Sequence, residues 1–467
     1  MNQFVNAITA PQVSMTTTTN GMEAFDGTGS KVLDVFYNIG SARNNPEIVS
    51  QFMTAFRSNK LLTMKCLFWA RDVRGGSGER KVFRDVIQTL EVVDPDVLLK
   101  NLKLVPVYGR WDDLLVFNSR QMQNAAYAVI SDALMNADGL CAKWQPRKGP
   151  IANALRSFMR MSPKAYRKLL VNLSNTVEQK LCAQEYSELN YEHVPSVAAA
   201  RYQKAFLRHD EAGYNAYKEA LKAGTAKINA SVVFPHDVTR GLHNGDATVA
   251  SAQWAALPNY VGDRKILPVS DVSGSMMCQA SGSVTCLDVS IALGLYLADK
   301  NTGVFKDVIA TFSTSPELLK VEGDLAAKFE QLRNANWGGS TNLHATFKLI
   351  LDMAVANNVP QSDMPEIVIV LSDMQFDAAD RRGDTALSMA RDMYRVAGYT
   401  MPGLVFWNLR GEYGKSPSTK QERGVVMVSG FSPAIMKAVL ACDFDKISPE
   451  AMMLEVLLSD RYAEVTV

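Results

Sequence analysis

The stretch Ile266-Leu267-Pro268-Val269-Ser270-Asp271-Val272-Ser273-Gly274-Ser275-Met276 decides how the second half of this 467-residue chain folds. It opens as a short apolar run of the kind that forms a buried strand, then passes directly into a D-x-S-x-S turn. Alternate residues Asp271, Ser273 and Ser275 can face one point there, while Gly274 relieves the backbone. One carboxylate and two hydroxyls are hard oxygen donors, suited to the near-octahedral oxygen shell of Mg2+.

Further apolar, β-branched runs follow at Val308 to Phe312, Ile367 to Leu371 and Leu404 to Trp407, with helical patterns between them at Leu287 to Asp299 and Leu343 to Ala356. That alternation reads as parallel strands joined by crossover helices, an open, doubly wound α/β domain over residues 260–467. Ligands of such sheets collect at the carboxyl ends of the strands. Two more oxygen sources fall in suitable loops: Gly338-Gly339-Ser340-Thr341 opens a helix, and Ile367 to Leu371 ends in Ser372-Asp373. Either alone is an ordinary turn or helix cap. Their joint order sets the expectation of one divalent cation, Mg2+, on Asp271, Ser273, Ser275, Thr341 and Asp373.

Upstream, from about Lys31 to Tyr217, apolar residues recur at helical spacing, as in Val49, Phe52, Met53 and Phe56 or Val82, Phe83, Val86 and Ile87. Breaks fall at Asn44-Asn45-Pro46, Gly75-Gly76-Ser77-Gly78, Pro95, Pro106, Gly149-Pro150, Ser162-Pro163 and Pro195. Short helices joined by short turns can stack as pairs, so an all-helical, HEAT-like solenoid is expected over 31–255, after an N-terminal arm of residues 1–30. The period dissolves between about Gly224 and Asp263, where the boundary belongs.

Composition excludes several classes. At 47% hydrophobic residues the chain buries more than one core, and its net charge of +1 gives no global basic excess, so a nucleic-acid argument must rest on local patches. Six scattered cysteines, with no CxxC pair, suit neither a zinc module nor a disulfide framework. The first twenty residues lack the basic start and apolar run of a signal peptide, and no apolar stretch is long enough to cross a bilayer. A soluble, cytoplasmic protein without membrane contact is expected.

Three local patches stand out. The first holds Arg71, Arg74, Arg80 and Lys81 around Gly75-Gly76-Ser77-Gly78, and could cradle phosphate with backbone N–H groups and guanidinium forks. A turn between solvated helices, with Glu79 pairing its neighbours, explains it equally well, and no Gly-Lys-Ser/Thr follows to make it a nucleotide loop. The second runs from Lys143 to Leu170 with Lys143, Arg147, Lys148, Arg156, Arg160, Lys164, Arg167 and Lys168 and no Asp or Glu. Trp144, Phe158 and Tyr166 lie among these cations and could stack on unpaired bases, although aromatics at helical spacing are more often core. The third, Tyr191 to Tyr217, contains His193 and His209, which read more simply as structural residues.

The Asp271, Ser273, Ser275, Thr341 and Asp373 set resembles the metal-ion-dependent adhesion site of von Willebrand A domains. In that family the hydroxyls coordinate the ion, the acidic residues bind directly or through water, and an open position accepts a partner's carboxylate. Ser340 stands beside Thr341; the following Asn342-Leu343 favours Thr341 as the ligand. A helical part bearing Arg-Asp-x-Arg-Gly-Gly-x-Gly-Glu-Arg, a basic segment and a D-x-S-x-S-Met opening are, in that order, similar to the Ro autoantigen or TROVE-module family and its uncharacterised phage and bacterial relatives. Those relatives also carry Tyr108-Gly109-Arg110-Trp111-Asp112-Asp113-Leu114, Ser372-Asp373-Met374-Gln375-Phe376 and Val405-Phe406-Trp407-Asn408-Leu409-Arg410. The resemblance implies that the helical solenoid can close into a ring, and that the protein is a non-catalytic scaffold that binds small structured or misfolded RNA on its basic helical surface and serves a nuclease or another protein partner. The alternative is a metal-dependent protein-interaction module without RNA. An enzyme fits least, since no histidine accompanies Asp271 or Asp373 and only His344 lies near Thr341.

Overall fold

The computed structural model describes residues 13–174, 176–230, 233–244, 247–312, 316–335, 341–377, 386–411 and 415–467. Gly338-Gly339-Ser340 lies outside them. The chain forms two compact units that do not follow its linear order: residues 1–66 with 259–459, and residues 67–258 with 460–467. Residues 31–66, which the periodicity groups with the helical half, thus belong to the unit that contains the sheet. A helical region followed by a sheet of mainly parallel strands is the α plus α/β architecture expected.

In the first unit a hairpin of β1 (Met15–Thr17) and β2 (Glu23–Phe25) precedes the sheet. Then come β3 (Ile266–Asp271), the short pair β4 (Gln279–Ser281) and β5 (Val284–Thr285), β6 (Val308–Phe312), β7 (Leu318–Lys320), β8 (Ile367–Ser372), β9 (Gly403–Asn408) and β10 (Val425–Ser429). The main sheet has the order β10-β9-β8-β3-β6-β7, parallel except for the antiparallel edge strand β7. Strands β3, β8 and β10 are buried at every residue, as continuous apolar runs covered on both faces must be.

Helix Cys286–Lys300 is buried along nearly its whole length and lies against β3. Gly294 permits that approach, because a Cβ there would stand 2.1 Å from the Ser270 hydroxyl. Helix Lys31–Ile39 docks at the other side: the Ser429 hydroxyl donates to the Phe36 carbonyl at 3.1 Å, and the Asn408 amide donates to Asn38 Oδ1 at 3.1 Å. Neighbouring strands β3 and β8 send their crossovers in opposite directions, so the carboxyl ends of these two strands form the crevice where an open α/β sheet receives ligands.

The second unit is helical and closes on a buried polar network. Asp113 is inaccessible and accepts from Arg71 Nε at 2.8 Å, Arg84 Nε at 2.7 Å and the Arg110 backbone at 2.9 Å. Asp72 is equally buried and accepts from Tyr462 at 3.0 Å and from Arg461 Nη2 at 2.7 Å. The last residues of the chain therefore complete the core begun at Leu67. Tyr108 stacks near Tyr462 and donates to the Arg461 carbonyl, and Asn101 exchanges two hydrogen bonds with Thr466. Among the described residues no helix is long and apolar enough to cross a membrane.

Candidate cation site and basic face

At the end of β3 the Asp271 carboxylate is fully buried and held from both sides: Oδ1 accepts from the Ser273 backbone N–H at 2.9 Å, and Oδ2 from the Ser372 hydroxyl at 2.5 Å. The register pairs Ser270 with Leu371, which sets Asp271 and Asp373 at the ends of adjacent strands. Asp373, 1% exposed, accepts from the Gln375 N–H at 3.2 Å through Oδ1. Among the described residues its Oδ2 is buried with no hydrogen-bond partner within 3.5 Å, while the nearby Ser275 hydroxyl and Arg410, whose Nη1 stands 3.8 Å from it, favour its charged form. The hydroxyls of Ser273 and Ser275 lie 3.1 Å apart. Thr341, 1% exposed, donates its hydroxyl proton to the Gln375 carbonyl at 2.5 Å and accepts from the Asn20 amide at 3.4 Å, which leaves one lone pair of its oxygen open.

Burial raises the Asp271 carboxyl to about 7, and the neighbouring charge of Asp373 adds to the shift. Asp373 is raised as well, by burial first. Two carboxylates forced together away from water are an unfavourable pair, and a divalent cation between them would relieve both penalties. The donor set of two carboxylates and three hydroxyls contains only hard oxygens, and the orphaned Asp373 Oδ2 is a position that such an ion would satisfy. Among the described residues no cluster of three or more His, Cys, Asp or Glu could hold a metal, so any ion here depends on the hydroxyls.

Sequence reasoning missed the groups that orient this set. Ser372 locks Asp271, Arg410 faces Asp373, and Gln375 takes the proton of Thr341. Met374, between Asp373 and Gln375, adopts φ of 64°, a left-handed conformation that turns the loop sharply after β8. Asn20, about 250 residues before β3 by number, donates to the Gln375 carbonyl at 2.7 Å and lies 3.4 Å from the Thr341 hydroxyl. The motif Ser372-Asp373-Met374-Gln375 carried a usable signal for Ser372 and Gln375; nothing in the first twenty residues marked Asn20.

The glycine-rich patch of the second unit is a correction to the phosphate-cradle expectation. Arg71 is 2% exposed and committed to Asp113 at 2.7 Å. The N–H groups of Gly76 and Gly78 donate to the Asp72 carbonyl, that of Ser77 to Trp69, and that of Glu79 to Ala70, so the loop spends its donors on its own helix end. Gly76 is required because a Cβ would stand 1.9 Å from the Trp69 carbonyl oxygen. Lys81 pairs with Asp85 at 2.8 Å, and Arg74 bonds the Val107 carbonyl at 3.3 Å; Arg74 and Arg80 remain exposed there, Arg80 in the field of Asp112 and Asp113.

The second patch differs. Helix Pro150–Phe158 buries Ala152 and Leu155, and helix Pro163–Leu173 buries Tyr166 and Leu170. Lys164, Arg167 and Lys168 fall at helical spacing on the solvent side of the latter helix, with Arg147, Lys148 and Arg160 exposed in the flanking turns and Arg156 half-buried. Arg147 bonds the Ser174 hydroxyl, Arg156 the Asn153 amide oxygen and Arg167 the Pro163 carbonyl, all neutral partners. Among the described residues none of these seven cations is paired with a carboxylate. Lys143 is set apart, lying 3.5 Å from Glu178. Of the three aromatics, Tyr166 is core, Trp144 carries the Arg110 guanidinium 4.0 Å over its ring, and Phe158 remains 40% exposed. In the third patch Tyr191, Phe206 and Tyr214 form a local core, and His209 stacks on Tyr186.

Fold and site together describe a helical unit joined to an open α/β unit with a polar crevice at its switch point. The chain belongs to the family described as "Domain of unknown function (DUF2828)", which matches residues 18–138 and 126–264, more than half of its length. Residues 265–459 match a second family, "Domain of unknown function (DUF7788)". An uncharacterised protein of Acanthamoeba polyphaga mimivirus is 29% identical over 503 aligned positions, spanning 94% of this chain and 86% of the relative. Among solved structures, the crystal structure of the Deinococcus radiodurans Ro (RSR) protein aligns over 91% of this chain and 93% of its own, with 16% identity and a TM-score of 0.40.

Proposed function

We propose that this protein is an RNA-binding scaffold whose contact surface is the basic face of helices Pro150–Phe158 and Pro163–Leu173. The single observation that carries the reading is the set Arg147, Lys148, Arg156, Arg160, Lys164, Arg167 and Lys168, exposed but for the half-buried Arg156 and, among the described residues, unpaired with acid in a chain of net charge +1. Clustered, uncompensated cations build a positive potential that releases counterions from a phosphate backbone on contact. Phe158 offers one exposed ring for an unstacked base, which favours RNA with single-stranded elements. The resemblance of the sequence motifs to the Ro family points to the same class of ligand. Arg74 and Arg80 of the first patch can add phosphate contacts; Arg71 cannot.

The second part of the reading is a von Willebrand A-type cation site: one Mg2+ on Asp271, Ser273, Ser275, Thr341 and Asp373, supported by the orphaned Asp373 oxygen and the raised carboxyls. Its role is the capture of a protein partner, such as a nuclease, and not catalysis. The test is a filter-binding titration of the full chain against a structured RNA with a single-stranded 3′ end, with and without EDTA. Binding that falls steeply with salt and survives EDTA is expected. Binding that EDTA abolishes would transfer the RNA contact to the cation site and refute the assignment of the basic face.

A further inference from the structure

The hairpin of β1 and β2 leans its tip on the cation crevice, and Asn20 at that tip touches both Thr341 and the carbonyl that orients it. The Asn20 amide donates to the Gln375 carbonyl at 2.7 Å, the same oxygen that receives the Thr341 hydroxyl proton at 2.5 Å, and it lies 3.4 Å from the Thr341 hydroxyl. The Thr19 N–H donates to Gln375 Oε1 at 3.0 Å, the Thr18 hydroxyl bonds the Phe376 carbonyl, and Gly21 bridges to Asp377. Apart from that with Thr341, these contacts fall on the segment just after β8 that presents Asp373. The base of the hairpin is fixed separately, by Phe25 and Ser416 exchanging backbone hydrogen bonds at 2.9 and 2.8 Å. Its tip is held by the segment that follows Asp373, and Met22 beside it is buried in the core of the sheet unit.

We propose that Asn20 is a positioning residue of the cation site, and that docking of the hairpin tip and binding of the cation are coupled. By holding the Gln375 carbonyl where it accepts the Thr341 proton, and by donating to the Thr341 oxygen itself, Asn20 fixes the direction of the one lone pair that a cation would use. The cation, by fixing Thr341 and Asp373, holds in place the loop on which the tip rests. Coupling of this kind is reciprocal: a factor gained in cation affinity is the same factor gained in hairpin docking. Partners that orient a metal ligand without touching the metal are worth on the order of tenfold in affinity. The tip also stands as the chain's own occupant beside the crevice, which an approaching protein must share or displace.

The inference rests on the cation reading, and the experiment separates the two. Mn2+ binding to the full chain is followed by electron paramagnetic resonance of the free ion, with Mg2+ as competitor, for the native chain, Asp271→Ala and Asn20→Ala. Hydrogen exchange of the Met15–Phe25 amides is measured with and without Mg2+. The expected result is one Mn2+ displaced by Mg2+ and lost in Asp271→Ala, about tenfold weaker binding in Asn20→Ala with unchanged thermal stability in EDTA, and hairpin exchange slowed by up to about tenfold by Mg2+. Failure of the native chain to bind Mn2+ overturns the cation site itself. Binding that is indifferent to Asn20→Ala, or a hairpin whose exchange is the same with and without Mg2+, overturns the coupling and leaves the site standing. The exchange measurement on the native chain decides the matter even if Asn20→Ala does not fold.

Discussion

Replacing Lys164, Arg167 and Lys168 together by alanine perturbs the proposed RNA face while leaving its fold intact. All three side chains are exposed, they lie opposite the buried Tyr166 and Leu170, and alanine is a good helix former. If each of the seven unpaired cations meets one phosphate of a single strand, counterion release of about 0.7 per contact gives a log–log salt slope of about −5, or roughly 10³-fold weaker binding between 50 and 200 mM salt. Each lost contact costs about fourfold in affinity near 0.15 M salt by the same relation, so the triple substitution should weaken binding about 50-fold and reduce the slope by about two. Filter binding at several salt concentrations measures both quantities, with circular dichroism melting as the control for folding. A folded triple variant with the native slope would refute the placement of RNA on this face, whatever its affinity.

Other consequences follow from the two units separately. Asp271 has a folded value near 7 against an ordinary 3.8, so without a cation its contribution to stability is greatest below about pH 4, is lost as pH rises towards 7 and is flat above; thermal melting in EDTA between pH 4 and 8 should show that decline, and an upward trend would contradict it. Cation affinity should run the opposite way, rising with pH up to about 7, because the ion binds the ionised carboxylate, and an Mg2+ titration calorimetrically followed at pH 5.5 and 7.5 checks it. Arg461→Ala strips the buried Asp72 of its strongest partner and should cost about 2–3 kcal/mol of stability, discounted from a fully buried pair because the arginine is 42% exposed; a melting temperature unchanged from the native chain would count against the C-terminal segment as part of that core. Gly294→Ala drives a methyl into the Ser270 hydroxyl and should destabilise the sheet unit by about 1–3 kcal/mol, read from denaturant unfolding, with no loss expected only if the helix can slide away from β3.

The parts of the fold legible in the sequence are those with a strong local period. Strands β3, β6, β8 and β9 are buried on both faces and show as unbroken apolar runs, and helices Cys286–Lys300 and Leu343–Ala356 begin within a residue of where the pattern starts. The β1–β2 hairpin is only three residues per strand, and Met15-Thr16-Thr17 has neither alternation nor an apolar run, so its position at the crevice is invisible without the tertiary fold. The edge strand β7 is similarly short and half-buried. The assignment of residues 31–66 to the sheet unit, and of Arg461 and Tyr462 to the helical unit, depends on contacts hundreds of residues apart, such as Ser429 with Phe36 and Asp72 with Tyr462, which no window of sequence contains. Arg71 shows the same limit from the other side: an arginine beside glycines reads as a phosphate ligand until Asp113, 42 residues away, is seen to claim it. Asp271 and Asp373 were legible because each follows directly on an apolar strand run, whereas the pairing of β3 with β8 that brings them together is set by a strand order that the alternation alone does not give.

The most direct test of the central claim is ultraviolet cross-linking of the full chain to a structured RNA with a single-stranded 3′ end, with the linked peptides mapped by mass spectrometry. Cross-links are expected to concentrate between Arg147 and Lys168, with Phe158 the aromatic point of attachment, and to give the same map in EDTA. Cross-links confined to the loops around Asp271, Thr341 and Asp373, or none at low salt, would contradict that claim.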